Sequence, residues 1–461
     1  MTRKLLFSAL TLMLTASLCL IGTGLAVGGL LLLTPAESSA QTSVEPFPVT
    51  LPDALPDEPL PASVLEEMNK IQLEVAQLRR LIPRQAVYRD VLSPEELEVV
   101  VKEEFFSDYT AEDAQSDAQL LTALGLLPNG FELLDFYEEL FSEQVAGYYD
   151  SQTGQMVVVQ GEDFSGVERM TYAHEYTHAL QDQTYDLRNG LGYEDSVCML
   201  EFDACSAVLA LIEGDATLSE QLWLFRHATD QDYVDLQDFS MTFETPVYDS
   251  APEFMQQDFM FPYMQGNEFV QTLYDQGGWA AVDQAYANPP VSTEQILHPG
   301  LYPAEQPAEV DLPVTADAQN GWKMVDSSVL GEWYTFLLLS YGWQPETRIP
   351  LEQARQASAG WGGDRYRLYA NEQTGQTALA VRWQADSAAD ARELFDALRQ
   401  YAQQRWTGAQ AAPQSAERWE VQNEDAAVWL ALSGEEVAWL IAPDKTILDG
   451  MKGGFSAWQT H

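Results

Sequence analysis

The spacing of apolar and polar positions changes period several times along the chain. Behind the capping pattern Ser63-Val64-Leu65-Glu66, apolar residues recur at Val64, Met68, Ile71, Val75, Leu78 and Ile82. That spacing predicts one amphipathic helix ended by Pro83, its stripe a packing face or a short coiled coil. Ser93-Pro94-Glu95-Glu96 marks a second helix start, with proline at the first helical position. Helical patterns continue through 112–125 and 130–143, broken by Pro128-Asn129-Gly130. The period then shortens. Gln144–Tyr149 and Gln155–Gln160 are β-prone runs around Asp150-Ser151-Gln152-Thr153-Gly154, which predicts a β-hairpin. Helical spacing returns over Val167–Gln183 and over a long apolar run, Phe202–Arg226. Between Ala228 and Gln265 no period is sustained; a helical stretch over 266–286 and a Pro-rich segment over 289–313 follow.

The last third reads differently. Tyr366–Tyr369, Thr377–Trp383, Trp419–Gln422, Ala427–Leu432 and Val437–Ile441 have strand character, with a helix over Ser387–Gln404 between the second and third. A ββαβββ order predicts a smaller α+β unit over 320–461, behind a mainly helical domain over 62–315 that carries the hairpin. The fold class expected for the whole chain is therefore α+β. At the other end, Arg3 and Lys4 precede an uncharged apolar stretch, Leu5–Leu33, and the small-x-small pattern Ser38-Ser39-Ala40. Residues 1–40 thus read as a targeting segment, either a cleaved signal peptide or a retained membrane anchor. Six prolines in 41–61 make that stretch an extended tether. Both readings put the body of the protein outside the cytoplasm: secreted, periplasmic or anchored facing outward.

A length of 461 residues fits two or three domains, and 12 Trp and 20 Tyr argue against wholesale disorder. The formal net charge of -48 argues against nucleic acid or an anionic membrane surface as partner, because both are polyanions. It reads as a solvated acidic surface, with attraction of basic substrates as the functional alternative. Cys19 follows Ala16-Ser17-Leu18, whose bulky last residue does not make a lipobox. Cys198 and Cys205 are the two other cysteines. Seven residues apart on one continuous helix they would stand about 10 Å apart, too far to bridge. A disulfide therefore requires the helix to begin after Cys198, and both states stay open.

The chemistry centres on Thr171-Tyr172-Ala173-His174-Glu175-Tyr176-Thr177-His178-Ala179-Leu180. Histidines four apart lie on one face of a helix, one turn apart, and can grip a single metal ion. Glu175 follows the first of them, where its carboxylate reaches a water on that metal as a general base. A catalytic zinc needs a third protein ligand and an open position. His227, His298 and His461 do not follow the motif at the spacing of a three-histidine site. Glu213 is the candidate: it closes the apolar run Ala204–Ile212, where a carboxylate is costly unless paired or bound to a cation. Asp215 is a weaker ligand candidate, and Asp182 or Asp215 could orient a ligating imidazole through its other nitrogen.

With His174, Glu175, His178 and Glu213, the chain resembles the gluzincin metallopeptidases, the thermolysin-like HExxH group. It is also similar to a bacterial family of exported, largely uncharacterised metallopeptidases. The words that carry this are Glu143–Asp150, His174–Gln183, Glu213–Ala216, Thr293–Pro299 and Gly360–Asp364. The resemblance implies a zincin-like catalytic domain, Zn²⁺ on His174, His178 and Glu213, and hydrolysis of peptide or protein substrates. It also implies a His or Tyr opposite Glu175 that stabilises the tetrahedral oxyanion, for which His298 is the candidate and Tyr302 the fallback. Gly360–Asp364, with three glycines, reads as a tight turn. One departure is that Thr217 stands where an aspartate would follow the ligand glutamate by one turn. Two competing readings remain: a zinc hydrolase of non-peptide amides, and a catalytically silent envelope scaffold with a structural zinc.

Overall fold

The computed structural model describes residues 17–18, 47–53, 55, 60–106, 109–159, 164–193, 195–198, 200–313, 321–407, 410–411 and 415–459. Apart from Ser17–Leu18, the expected leader lies outside the described residues, as do much of the tether and His461. No helix among the described residues is long and apolar enough to cross a membrane.

The chain is α+β. An N-terminal helix spans Ala62–Arg79. The capping pattern at Ser63 does not open it: Leu65 N bonds to Pro61 O at 3.1 Å, so Ser63 already lies inside the first turn, unable to cap. The helix also stops short of Pro83, because Arg79 turns inward and Arg80 takes the left-handed cap at φ 62°. The box at Ser93 forms as its sequence predicts. The hairpin forms too, Val145–Asp150 pairing antiparallel with Gln155–Val159 in the register Gly147↔Val158 and Asp150↔Gln155. Tyr88–Leu92 adds to it in parallel.

Behind this small sheet run two long helices. Gly166–Tyr185, here the motif helix, opens with a capping box between Ser165 and Glu168 and is buried almost continuously from Met170 to Gln181. Phe202–His227, the ligand helix, packs along it. The segment without sustained period resolves into Asp230–Thr242, Pro246–Ser250 and Glu253–Gly277. The last of these contains Pro262 and crosses the ligand helix at backbone contact. A Cβ on Gly214 would fall 2.2 Å from Gly266 O, and one on Gly266 would fall 2.1 Å from Ala210 O. Only glycine permits that approach.

The C-terminal sheet is antiparallel throughout, in the spatial order Trp322–Asp326, Trp361–Asn371, Gln376–Ala385, Glu436–Ala442, Ala427–Ser433, Arg418–Gln422, Gln410–Ala411. Helix Ala388–Arg405 lies on it. The Gly360–Asp364 word is not a turn. It opens the strand Trp361–Asn371 with a bulge between Trp361 and Gly363, where a Cβ on Gly363 would meet Ala308 O at 2.5 Å. Helix Gly331–Ser340, buried at all ten positions, joins this sheet to the helical part in one hydrophobic core.

Candidate metal centre

On the motif helix, His174 and His178 stand one turn apart with ring centroids 4.8 Å apart. Tyr172, Ala173, Tyr176 and Leu180 pack on the other side, in the core shared with the N-terminal helix. The two imidazoles therefore face the ligand helix. There Glu213 Oε2 lies 3.1 Å from His174 Nε2 and 3.4 Å from His178 Nε2. Ligand-capable atoms of His174, Glu175 and His178 lie within 4.8 Å of one another. All four residues are buried.

The other nitrogen of each ring is held from behind. His174 Nδ1 is 2.9 Å from Glu220 Oε2, and His178 Nδ1 is 2.9 Å from Gln181 Oε1. Both partners accept protons, so each ring carries hydrogen on Nδ1 and turns Nε2 toward Glu213. Glu220 stands two turns beyond Glu213 on the same face, a position the sequence reading passed over. Asp182 and Asp215 do not touch the imidazoles. Asp182 accepts from Tyr149 Oη at 2.9 Å, and Asp215 reaches His178 only through Gln181 Nε2 at 3.1 Å.

Burial alone would lower the His174 imidazole, yet its bonds to Glu213 and Glu220 raise it to about 10. Burial would raise Glu213, and the two imidazoles draw it below the ordinary carboxylate range instead. Glu213 Oε1 and His178 Nε2 remain buried with no hydrogen-bond partner. Two imidazoles and one carboxylate, with these two atoms unpartnered, are the ligand types of a catalytic zinc site, which holds its metal on three protein ligands and takes it up with loss of the imidazole protons.

His298 does not join this group. Its Nε2 sits 3.0 Å from Glu332 Oε1, on the short helix-and-loop segment that packs against Gly331–Ser340. The fallback Tyr302 donates to Asn288 O at 2.7 Å. The aromatic residue the structure brings to the centre is Tyr263, its ring centroid 6.3 Å from that of His174. Its hydroxyl is held well above the ordinary phenol range by burial and by the Glu213 and Glu175 carboxylates. Tyr263 precedes Gly266 by three residues, so one helix face carries both the glycine contact and the tyrosine. The strand Val145–Asp150 passes beside Glu175, and a Cβ on Gly147 would stand 3.4 Å from Glu175 Cγ.

Cys198 and Cys205 form a disulfide with Cα atoms 5.5 Å apart. The ligand helix begins at Phe202, after Cys198, which is the condition their spacing imposed.

Residues 317–452 match a family described as a domain of unknown function, DUF8575, which covers all seven strands of the C-terminal sheet and none of His174, Glu175, His178 and Glu213. No curated protein and no solved structure matches the chain.

Proposed function

We propose that the protein is an exported zinc-dependent metallopeptidase, with zinc held by His174, His178 and Glu213 and with Glu175 as general base. The observation that carries this reading is the convergence of two imidazole Nε2 atoms on one buried carboxylate, each ring fixed from its far side. When bound, zinc supplies Lewis acidity that makes an attacking water acidic near neutral pH.

The chain's own residues do the rest. Glu175 accepts the proton of the attacking water and returns it to the departing amine. Tyr263, kept protonated by its surroundings, donates to the oxygen that gains negative charge. Val145–Asp150 passes beside Glu175 and is paired along its outer edge with Ser17–Leu18, so an extended peptide takes main-chain partners there only by displacing that pair. A structural zinc site would instead be closed by a fourth protein ligand. Of the nearby carboxylates, Glu220 is already engaged with His174 Nδ1.

Elemental analysis of the wild type and Glu213→Ala, with a peptide-library screen, tests this. About one zinc per chain, lost in Glu213→Ala and accompanied by peptide hydrolysis, is the expected result. Zinc without hydrolysis of any amide favours the silent scaffold; no zinc after metal-replete purification removes the reading.

A further inference from the structure

Arg79 ends the N-terminal helix with its side chain wholly buried, more than a hundred residues before the ligand helix. Its Nε donates to Asp215 Oδ1 at 2.6 Å and its Nη1 to Asp283 Oδ1 at 2.8 Å. The guanidinium lies 4.4 Å from the centroid of the Trp279 ring, and Nη2 reaches Tyr185 Oη at 3.3 Å. A buried cation this fully engaged is expensive to assemble, and three separate helices contribute to it.

Asp215 turns its second oxygen, Oδ2, to Gln181 Nε2 at 3.1 Å and to Tyr286 Oη at 2.8 Å. Gln181 Nε2 also donates to Ile212 O at 3.0 Å, the carbonyl immediately before Glu213. Both protons of the Gln181 amide nitrogen therefore meet acceptors. That fixes the rotation of the amide and leaves Oε1, an acceptor, 2.9 Å from His178 Nδ1. An amide rotated by half a turn would present N–H groups to Nδ1 instead. His178 would then carry its hydrogen on Nε2, the atom that faces Glu213, and could not offer a lone pair there.

We infer that Arg79, through Asp215 and Gln181, is a positioning residue that locks His178 in the one tautomer able to bind a metal, so that the N-terminal helix is part of the metal centre. This rests on the metallopeptidase reading only for the use made of the metal. The lock itself is a property of the metal-free chain.

The test measures zinc affinity by competition with a chromophoric chelator, together with the histidine ¹⁵N resonances of metal-free protein. The proteins are wild type, Arg79→Met, Gln181→Ala, the double variant, and Tyr286→Phe. The last removes one hydrogen bond to Asp215 without changing shape. Arg79→Met is expected to weaken zinc binding about ten- to a hundredfold. The loss is expected to vanish in the Gln181→Ala background, where no amide remains to orient. In metal-free wild type at a pH where the ring is neutral, His178 carries its proton on Nδ1, and both Arg79→Met and Tyr286→Phe shift it toward Nε2. If Arg79→Met does not fold, the Tyr286→Phe resonance and affinity decide. Equal losses with and without Gln181, or an unchanged His178 tautomer in the variants, overturn the inference. A chain that takes up no zinc yet shows the tautomer shift overturns the metallopeptidase reading and leaves the lock standing.

Discussion

At the scale of single residues, the proposed function separates metal binding from proton transfer. Glu175→Gln keeps the two imidazoles and Glu213 in place. It is expected to hold about one zinc while losing about 10²–10⁴-fold in kcat, read by metal analysis and peptide hydrolysis on the same preparation. Tyr263→Phe removes only a hydroxyl and is expected to cost about 10²–10³-fold in kcat with KM and zinc content nearly unchanged. His298→Ala, by contrast, is expected to leave kcat within about threefold, since its partner is Glu332 rather than any residue of the centre. The convergence of His174, Glu175 and His178 was legible because H-E-x-x-H fixes their geometry within one helix turn. Glu213 was legible because a carboxylate closing a nine-residue apolar run needs compensation. Tyr263 was not, because it follows Pro262 in a stretch whose aromatic and polar residues alternate without period. Glu220 was passed over because a glutamate in a mixed polar segment carries no sign of what it faces.

At the scale of elements, the crossing between Phe202–His227 and Glu253–Gly277 sets how close Tyr263 comes to His174. Gly214 and Gly266 meet backbone to backbone, so a single methyl has no space to enter. Gly266→Ala is expected to destabilise the fold by about 1–3 kcal/mol and to lower zinc affinity, seen in urea denaturation and chelator competition. Gly147→Ala acts on the hairpin side. Its Cβ would stand 2.7 Å from Thr171 Cγ2 and 2.9 Å from Val157 O, pressing the strand away from the motif helix. Most of these elements could be read from period and capping: the hairpin, the motif helix and the strands from Tyr366 onward stand where expected. Helix Gly331–Ser340 could not, because it is apolar on every side and so has no amphipathic signal. The edge strand Trp322–Asp326 was missed for the opposite reason, with exposed Lys323 and Met324 interrupting its alternation.

For the whole molecule, burial of carboxyls sets the response to pH. Burial raises Asp203 to about 7 and both Asp258 and Asp364 to about 6, from an ordinary value of 3.8. Burial, then the Glu305 carboxylate beside it, raises Glu294 to about 10. Groups raised on folding contribute stability that is complete below the unfolded value and is lost as pH climbs through the folded one. Metal-free protein is therefore expected to need more urea at pH 5 than at pH 8.5, with a smaller difference in Glu294→Gln, whose amide cannot ionise. The helical part and the C-terminal sheet are also bound side to side. Trp333 Nε1 and Tyr334 Oη donate to Asp258, Tyr401 Oη donates to Leu124 O at 2.7 Å, Trp333 N donates to Thr293 Oγ1, and Phe202 N donates to Ser328 Oγ. It follows that peptide-chain continuity across residues 314–320 is not what keeps the halves together. A protease site inserted there and cut should yield two fragments that elute as one particle, and separately expressed halves should recombine only by complementation.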